Sequence, residues 1–193
     1  MIFASNDDLN LILAQIDLRD PMGPRDHHAL TIARHTGLRV AELCGLDVAD
    51  VHDGREVRRE LYVRPAIAKG GSSGARLVPL NAAARQAIAQ QIAFQRRRGF
   101  LTETYSALFT TKAHNRLMPR ALQYVVAELR ERARMAKPVT CHSFRGNFGT
   151  NVAAGSGVRA AQMLLGHKRL NTVTIYTEVS RHDLAAAVER LAE

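Results

Sequence analysis

The forty residues from Thr140 to Val179 constrain this chain more than any other stretch. They hold Thr140-Cys141-His142-Ser143-Phe144-Arg145, then Leu165-Gly166-His167, then Thr174-Ile175-Tyr176-Thr177. The pattern reads as short helical segments joined by tight turns, with Gly155-Ser156-Gly157 separating a first helix from one over Val158 to Leu165. His142 and Arg145 stand at i and i+3, so a helix puts both on one face. Arg145 can then fork onto two phosphate oxygens while His142 handles a proton or a third contact. The nine positions from His167 to Tyr176 leave room for a turn at Lys168 to Leu170 and a helical turn, which returns the phenol toward the same pocket. A phenol with an ordinary pKa of about 10 needs cations and a proton acceptor before it can act as a nucleophile.

Charge points to a polyanionic partner. The chain of 193 residues carries a formal net charge of +9, and its distribution says more than its sum. From Arg55 to Arg145 there are 18 lysines and arginines against 5 carboxylates, and no carboxylate lies between Leu61 and Thr102. Charge runs of this kind also occur as plain solvated faces, so the motifs must decide. Cys44 and Cys141 are too few for a disulfide scaffold and lack metal-ligand spacing, as in a reducing cytoplasm. Cys141 beside His142 makes a poor nucleophile pair, because adjacent helical residues point about 100° apart. No apolar run approaches the ~20 residues that span a bilayer.

Taken in order, Asn6-Asp7 caps a helix through Leu9, Ile12, Leu13 and Ile16, and Pro24 opens a second that stops at Thr36-Gly37. A short helix between two glycines follows, in Thr36-Gly37-Leu38-Arg39-Val40-Ala41-Glu42-Leu43-Cys44-Gly45. On its own, Arg39 reads as a surface residue paired with Glu42. Leu61-Tyr62-Val63 and Leu77-Val78-Pro79-Leu80 are short strands around a glycine-serine turn that carries Lys69. Asn81 caps a long helix to Arg96-Arg97-Arg98, stopped by Gly99, and Pro119 opens an amphipathic helix closed at Lys137-Pro138. Ser180-Arg181-His182-Asp183 has capping-box form for a last helix. The expected architecture is one domain over residues 1–193, mainly α with a small antiparallel β-hairpin.

These boxes together resemble the tyrosine recombinase, or phage integrase, family. Thr-Gly-Leu-Arg-x-x-Glu-Leu at residues 36–43 is similar to the box with that family's first active-site arginine, and Ala68-Lys69-Gly70-Gly71 through Leu80 resembles its β-hairpin. His-x-x-Arg, Leu-Gly-His and the tyrosine complete the set, so the resemblance covers about Arg25 to Val179. It implies the catalytic-domain fold and places the catalytic roles on Arg39, Lys69, His142, Arg145, His167 and the nucleophile Tyr176. Arg64, Arg76, Lys168 and Arg169 are the expected DNA contacts. Three departures touch DNA contacts or regulation rather than the reaction: Ser72-Ser73 replaces a further hairpin lysine, Gly146 a basic residue, and Glu178 a histidine.

The implied reaction cleaves and rejoins DNA through a 3′-phosphotyrosyl intermediate. In-line displacement piles charge on the equatorial oxygens and on the departing 5′ oxygen, so catalysis is positioning plus electrostatics. Arg39 and Arg145 answer the first need with planar forks; Lys69 suits the leaving oxygen as general acid. His142 takes the phenolic proton and His167 donates to the phosphoryl group, roles the two can share. The bond to Tyr176 keeps the energy of the broken linkage, so no cofactor or metal is expected. The partner is double-stranded DNA, with a monomer when free and a homotetramer on two paired sites, no membrane, and a cytoplasmic, nucleoid-associated place. The family's N-terminal core-binding domain is expected to be absent, which leaves either an excised catalytic domain or a minimal recombinase. The helix over about 180–193 docks either on its own core or in trans. Two rivals remain at this stage: a type IB topoisomerase with the same covalent chemistry, and a catalytically silent DNA-binding module.

Overall fold

The computed structural model describes residues 4–67, 75–100, 103, 105–166, 185, 188, 189 and 191. Helix α1 (Asn6–Ala14) is capped by Ser5, one residue before the expected Asn6. Ser5 Oγ accepts from Asp8 N at 3.1 Å and Asp8 Oδ2 accepts from Ser5 N at 2.7 Å, a reciprocal box that Asn6 cannot close from inside the helix. Leu9 and Ile12 are its fully buried residues.

Helix α2 (Gly23–Thr36) is the centre of the fold and packs chiefly against α4 (Ala82–Arg97) and α6 (Cys141–Leu165). Pro24 opens it, and Gly37 ends it in the left-handed region at φ 62°. A side chain at Gly37 would be strained twice, since a Cβ there would also run into the Phe148 ring of α6. Ala29, Leu30, Ile32 and Ala33 enter the core with Ile88 and Ile92 of α4 and Phe144, Phe148 and Val152 of α6. Polar pairs are sewn into the α2–α4 seam. His28 Nδ1 and Gln91 Oε1 lie 3.1 Å apart; His35 Nδ1 and Asn81 Nδ2 lie 3.0 Å apart. Asn81 also caps α4 by accepting from Ala84 N, and donates to Val188 O at 3.0 Å, which ties that buried C-terminal valine to the same core.

Short α3 (Val40–Gly45) leads through a single 3-10 turn at Val48–Asp50 to strands β1 (Glu60–Val63) and β2 (Arg76–Pro79). The two strands are antiparallel, with Leu61 opposite Val78, Tyr62 opposite Leu77 and Val63 opposite Arg76. Leu61, Val63 and Val78 are buried while Tyr62 and Leu77 face out, the period-2 pattern of a sheet covered on one face. Helix α5 (Pro119–Arg132) buries Leu122, Val126 and Leu129. It ends earlier than Lys137-Pro138, at a turn that holds Arg134 at φ 50°. Within α6, Gly157 at φ 86° and ψ 159° breaks the helix into the two expected halves.

Candidate nucleic-acid cleavage site

Arg39 occupies the N-cap of α3, with extended backbone at φ −66° and ψ 149°. Glu42, one turn on, reaches back with both oxygens: Oε2 accepts from Arg39 N at 2.9 Å and Oε1 from Arg39 Nη1 at 3.0 Å. The pairing read from sequence is therefore real, but it is no surface pair, because Glu42 is fully buried. Arg76 of β2 closes on the same carboxylate, Nη2 to Oε2 at 2.7 Å and Nη1 to Oε1 at 3.1 Å. Burial alone would raise the Glu42 carboxyl; hydrogen bonds from Arg76 and Arg39 outweigh it and hold the group below its ordinary value.

Arg145 lies on the first turns of α6, 3% exposed. Its two terminal nitrogens donate to Gly37 O and to Leu165 O, both at 2.6 Å. One carbonyl belongs to the turn that leads into Arg39, and the other to the last residue of α6, so a single guanidinium pins both. Burial, then the neighbouring Arg39 charge, pushes Arg145 down to about 10, still protonated at neutral pH. His142 lies one turn before Arg145 in the sequence. Both line a cavity of about 390 Å³ between the two halves of α6, walled on the far side by Val158, Ala161, Gln162 and Leu165.

The structure thus brings Arg39, His142 and Arg145 to one region. Lys69, His167, Lys168, Arg169 and Tyr176 lie outside the described residues. Arg64 and Arg76, expected on DNA, have their guanidiniums engaged within the protein. Arg64 Nε meets Asp50 at 2.8 and 3.0 Å, its Nη2 meets Asp47 at 2.7 Å, and Gly45 O accepts from it. Sequence reasoning missed how deeply Glu42 sits and how Arg76 shares it; the Arg39-x-x-Glu42 spacing was the available signal for the first, and nothing local signalled the second. Cys141 does not look reactive, since burial pushes its thiol up to about 11 and that of Cys44 up to about 12. Among the described residues, no group of three or more His, Cys, Asp or Glu side chains gathers to hold a metal, and no helix is long and apolar enough to cross a membrane.

A helical domain with a small antiparallel hairpin is the architecture of tyrosine recombinase catalytic domains. It superposes on the lambda integrase catalytic core with TM-score 0.66 at 20% identity, covering 87% of this chain and 96% of that one. It superposes on XerH site-specific recombinase in its pre-cleavage complex with difH substrate with TM-score 0.69 at 19% identity, covering 88% and 48%. Identities this low carry the fold alone. Sequence carries the family: residues 3–182 match the Phage integrase family, and this chain belongs to it. Tyrosine recombinase XerC of Myxococcus xanthus is 34% identical over 181 residues, covering 90% of this chain and 56% of the relative. Tyrosine recombinase XerD of Ralstonia nicotianae is 32% identical over 174 residues, covering 90% and 54%. The chain spans about half the length of these curated relatives.

Proposed function

We propose that this chain is the catalytic domain of a site-specific DNA recombinase that breaks and rejoins strands through a 3′-phosphotyrosyl bond to Tyr176. The observation that carries the reading is a charge imbalance. Arg39 and Arg76 pair with one buried carboxylate, Glu42, and the buried Arg145 charge interacts with all three, which leaves a surplus of positive charge next to the pocket that Arg145 and His142 line. Such a surplus is costly to bury unless an anion completes it, and a scissile phosphodiester in its pentavalent state is that anion. Glu42 takes one Nη of Arg39 and leaves the rest of its fork for a phosphoryl oxygen. Carbonyls hold Arg145 on two sides, so it pays little reorganisation at the moment of reaction.

The remaining roles follow the family pattern: His142 accepts the phenolic proton, His167 donates to the phosphoryl group, and Lys69 protonates the departing 5′ oxygen. Lys168 and Arg169 are the proposed DNA contacts. Double-stranded DNA is the partner, with a monomer when free, a homotetramer on two paired sites, and action at the nucleoid in the cytoplasm. In the tetramer the helix over about 180–193 docks on a neighbouring subunit, which requires releasing the Asn81–Val188 contact that holds it to its own core.

The test is a suicide DNA substrate whose cleaved end diffuses away. An adduct that survives denaturation is expected with the native chain and is absent in Tyr176→Phe. An adduct that persists in Tyr176→Phe would refute the assignment of the nucleophile.

A further inference from the structure

Arg76 is one of the expected DNA contacts, yet its surroundings are those of a structural tie. Its side chain is 9% exposed. Besides the two bonds to Glu42, its Nε donates to Leu164 O at 3.1 Å. The last carbonyls of a helix have no partner within it. Here successive ones are taken by the two buried arginines: Leu164 O by Arg76 and Leu165 O by Arg145. The chain then turns at Gly166, φ 65°, and a Cβ there would stand 3.2 Å from the Arg76 side chain, so the backbone rests directly on the guanidinium stem. Arg76 therefore touches three pieces at once: its own strand β2, which follows Lys69 in the sequence; Glu42, which holds Arg39; and the end of α6, whose next residue after Gly166 is His167.

We infer that Arg76 is a positioning residue for the cleavage reaction: through Glu42 it sets the orientation of Arg39, through Leu164 O the exit of α6, and it makes no phosphate contact. The inference rests on the proposed recombinase reading. A lysine could neutralise Glu42 but could not span two carboxylate oxygens and a carbonyl with one planar group. Misplacing a catalytic group by about 1 Å costs about 100-fold in rate, so the effect falls on the chemical step.

The experiment measures single-turnover cleavage of the suicide substrate at saturating protein, beside the DNA dissociation constant and its salt dependence, for the full chain. Arg76→Gln is expected to bind with unchanged affinity and salt slope and to cleave about 100-fold more slowly. Arg76→Lys, which keeps a cation beside Glu42 and so the fold, is expected to cleave about tenfold more slowly with unchanged binding. In an Arg39→Lys background the Arg76→Lys slowing should shrink to within about threefold, because the two changes act on one unit. Three outcomes overturn the inference: cleavage at the native rate in Arg76→Lys, equal slowing in both Arg39 backgrounds, or weaker binding with a salt slope reduced by about one, which marks a phosphate contact. If the native chain itself gives no adduct, the recombinase reading fails and takes this inference with it; an adduct with the native chain keeps the two separable.

Discussion

Two arginine–carboxylate clusters lie close together in the sequence and do opposite things with the same residue types. Around Asp47 and Asp50, Arg64 and Arg116 supply two cations to two carboxylates, with the Gly45, Cys44 and Leu46 carbonyls accepting what is left. Around Glu42, the guanidiniums of Arg39 and Arg76 share one carboxylate, and a third, Arg145, is held by carbonyls within its electrostatic reach. The first cluster is balanced and closed; it fixes the turn after α3 against the Thr110–Arg116 bridge and has no charge to offer. The second is left with two positive charges unmatched. Net positive charge on a surface says little about function, whereas an unbalanced buried charge, held by backbone carbonyls, marks the place where a ligand completes the structure.

The comparison breaks if the unbalanced cluster can be discharged without harm. Arg145→Gln is expected to slow cleavage of the suicide substrate about 1000-fold, roughly 4 kcal/mol of barrier, because a preorganised donor is lost where charge develops. Single-turnover kinetics on a sample with native circular dichroism checks it. The balanced cluster should give the reverse. Arg64→Gln leaves Asp50, 3% exposed, without its partner, so unfolding stability should fall by about 3 kcal/mol while the cleavage rate stays within about threefold. Urea denaturation and the same kinetic assay decide this; a cleavage loss as large as that of Arg145→Gln would erase the distinction.

Acid sharpens the contrast further by separating loss of fold from loss of site. Burial depresses His35 to about 4, so between pH 6.5 and 4 the unfolded chain binds this proton and the folded one does not. The stability at stake, about 3 kcal/mol, is fully present above pH 6.5 and is lost as pH falls toward 4. The Glu42 carboxyl, held below its ordinary value by Arg76 and Arg39, gives up its charge later in the descent than a free glutamate would. Stability measured by urea at stepwise pH should therefore decline from 6.5 to 4, and His35→Gln should flatten the decline.

Much of this could be read from the chain because the signals are local. Pro24 and Pro119 announce helix starts, Gly37 and Gly99 announce ends at positive φ, and the alternation in Leu61-Tyr62-Val63 announces a one-faced strand. Arg39, His142 and Arg145 were equally legible, since each sits in a short box whose spacing holds its meaning without the rest of the molecule. What was not legible depended on distance in space. The internal partners of Arg64 and Arg76 are Asp50 and Glu42, 14 and 34 positions away, which no local pattern announces. The α1 cap moved to Ser5 because capping depends on which residue has extended backbone, as Ser5 does at ψ 170°.

By itself, then, the sequence determined the helices, the hairpin and the identity of the arginines and histidines, because periodicity, turn chemistry and motif spacing act over a few residues. What tertiary structure alone decided is which charges are spent and which are left over. Arg145 spans 108 positions to Gly37 O, and Arg76 spans 88 to Leu164 O. Whether a guanidinium is neutralised inside the protein or waits for a phosphate depends on partners that only the folded chain brings within hydrogen-bonding distance, where burial makes every unpaired charge count.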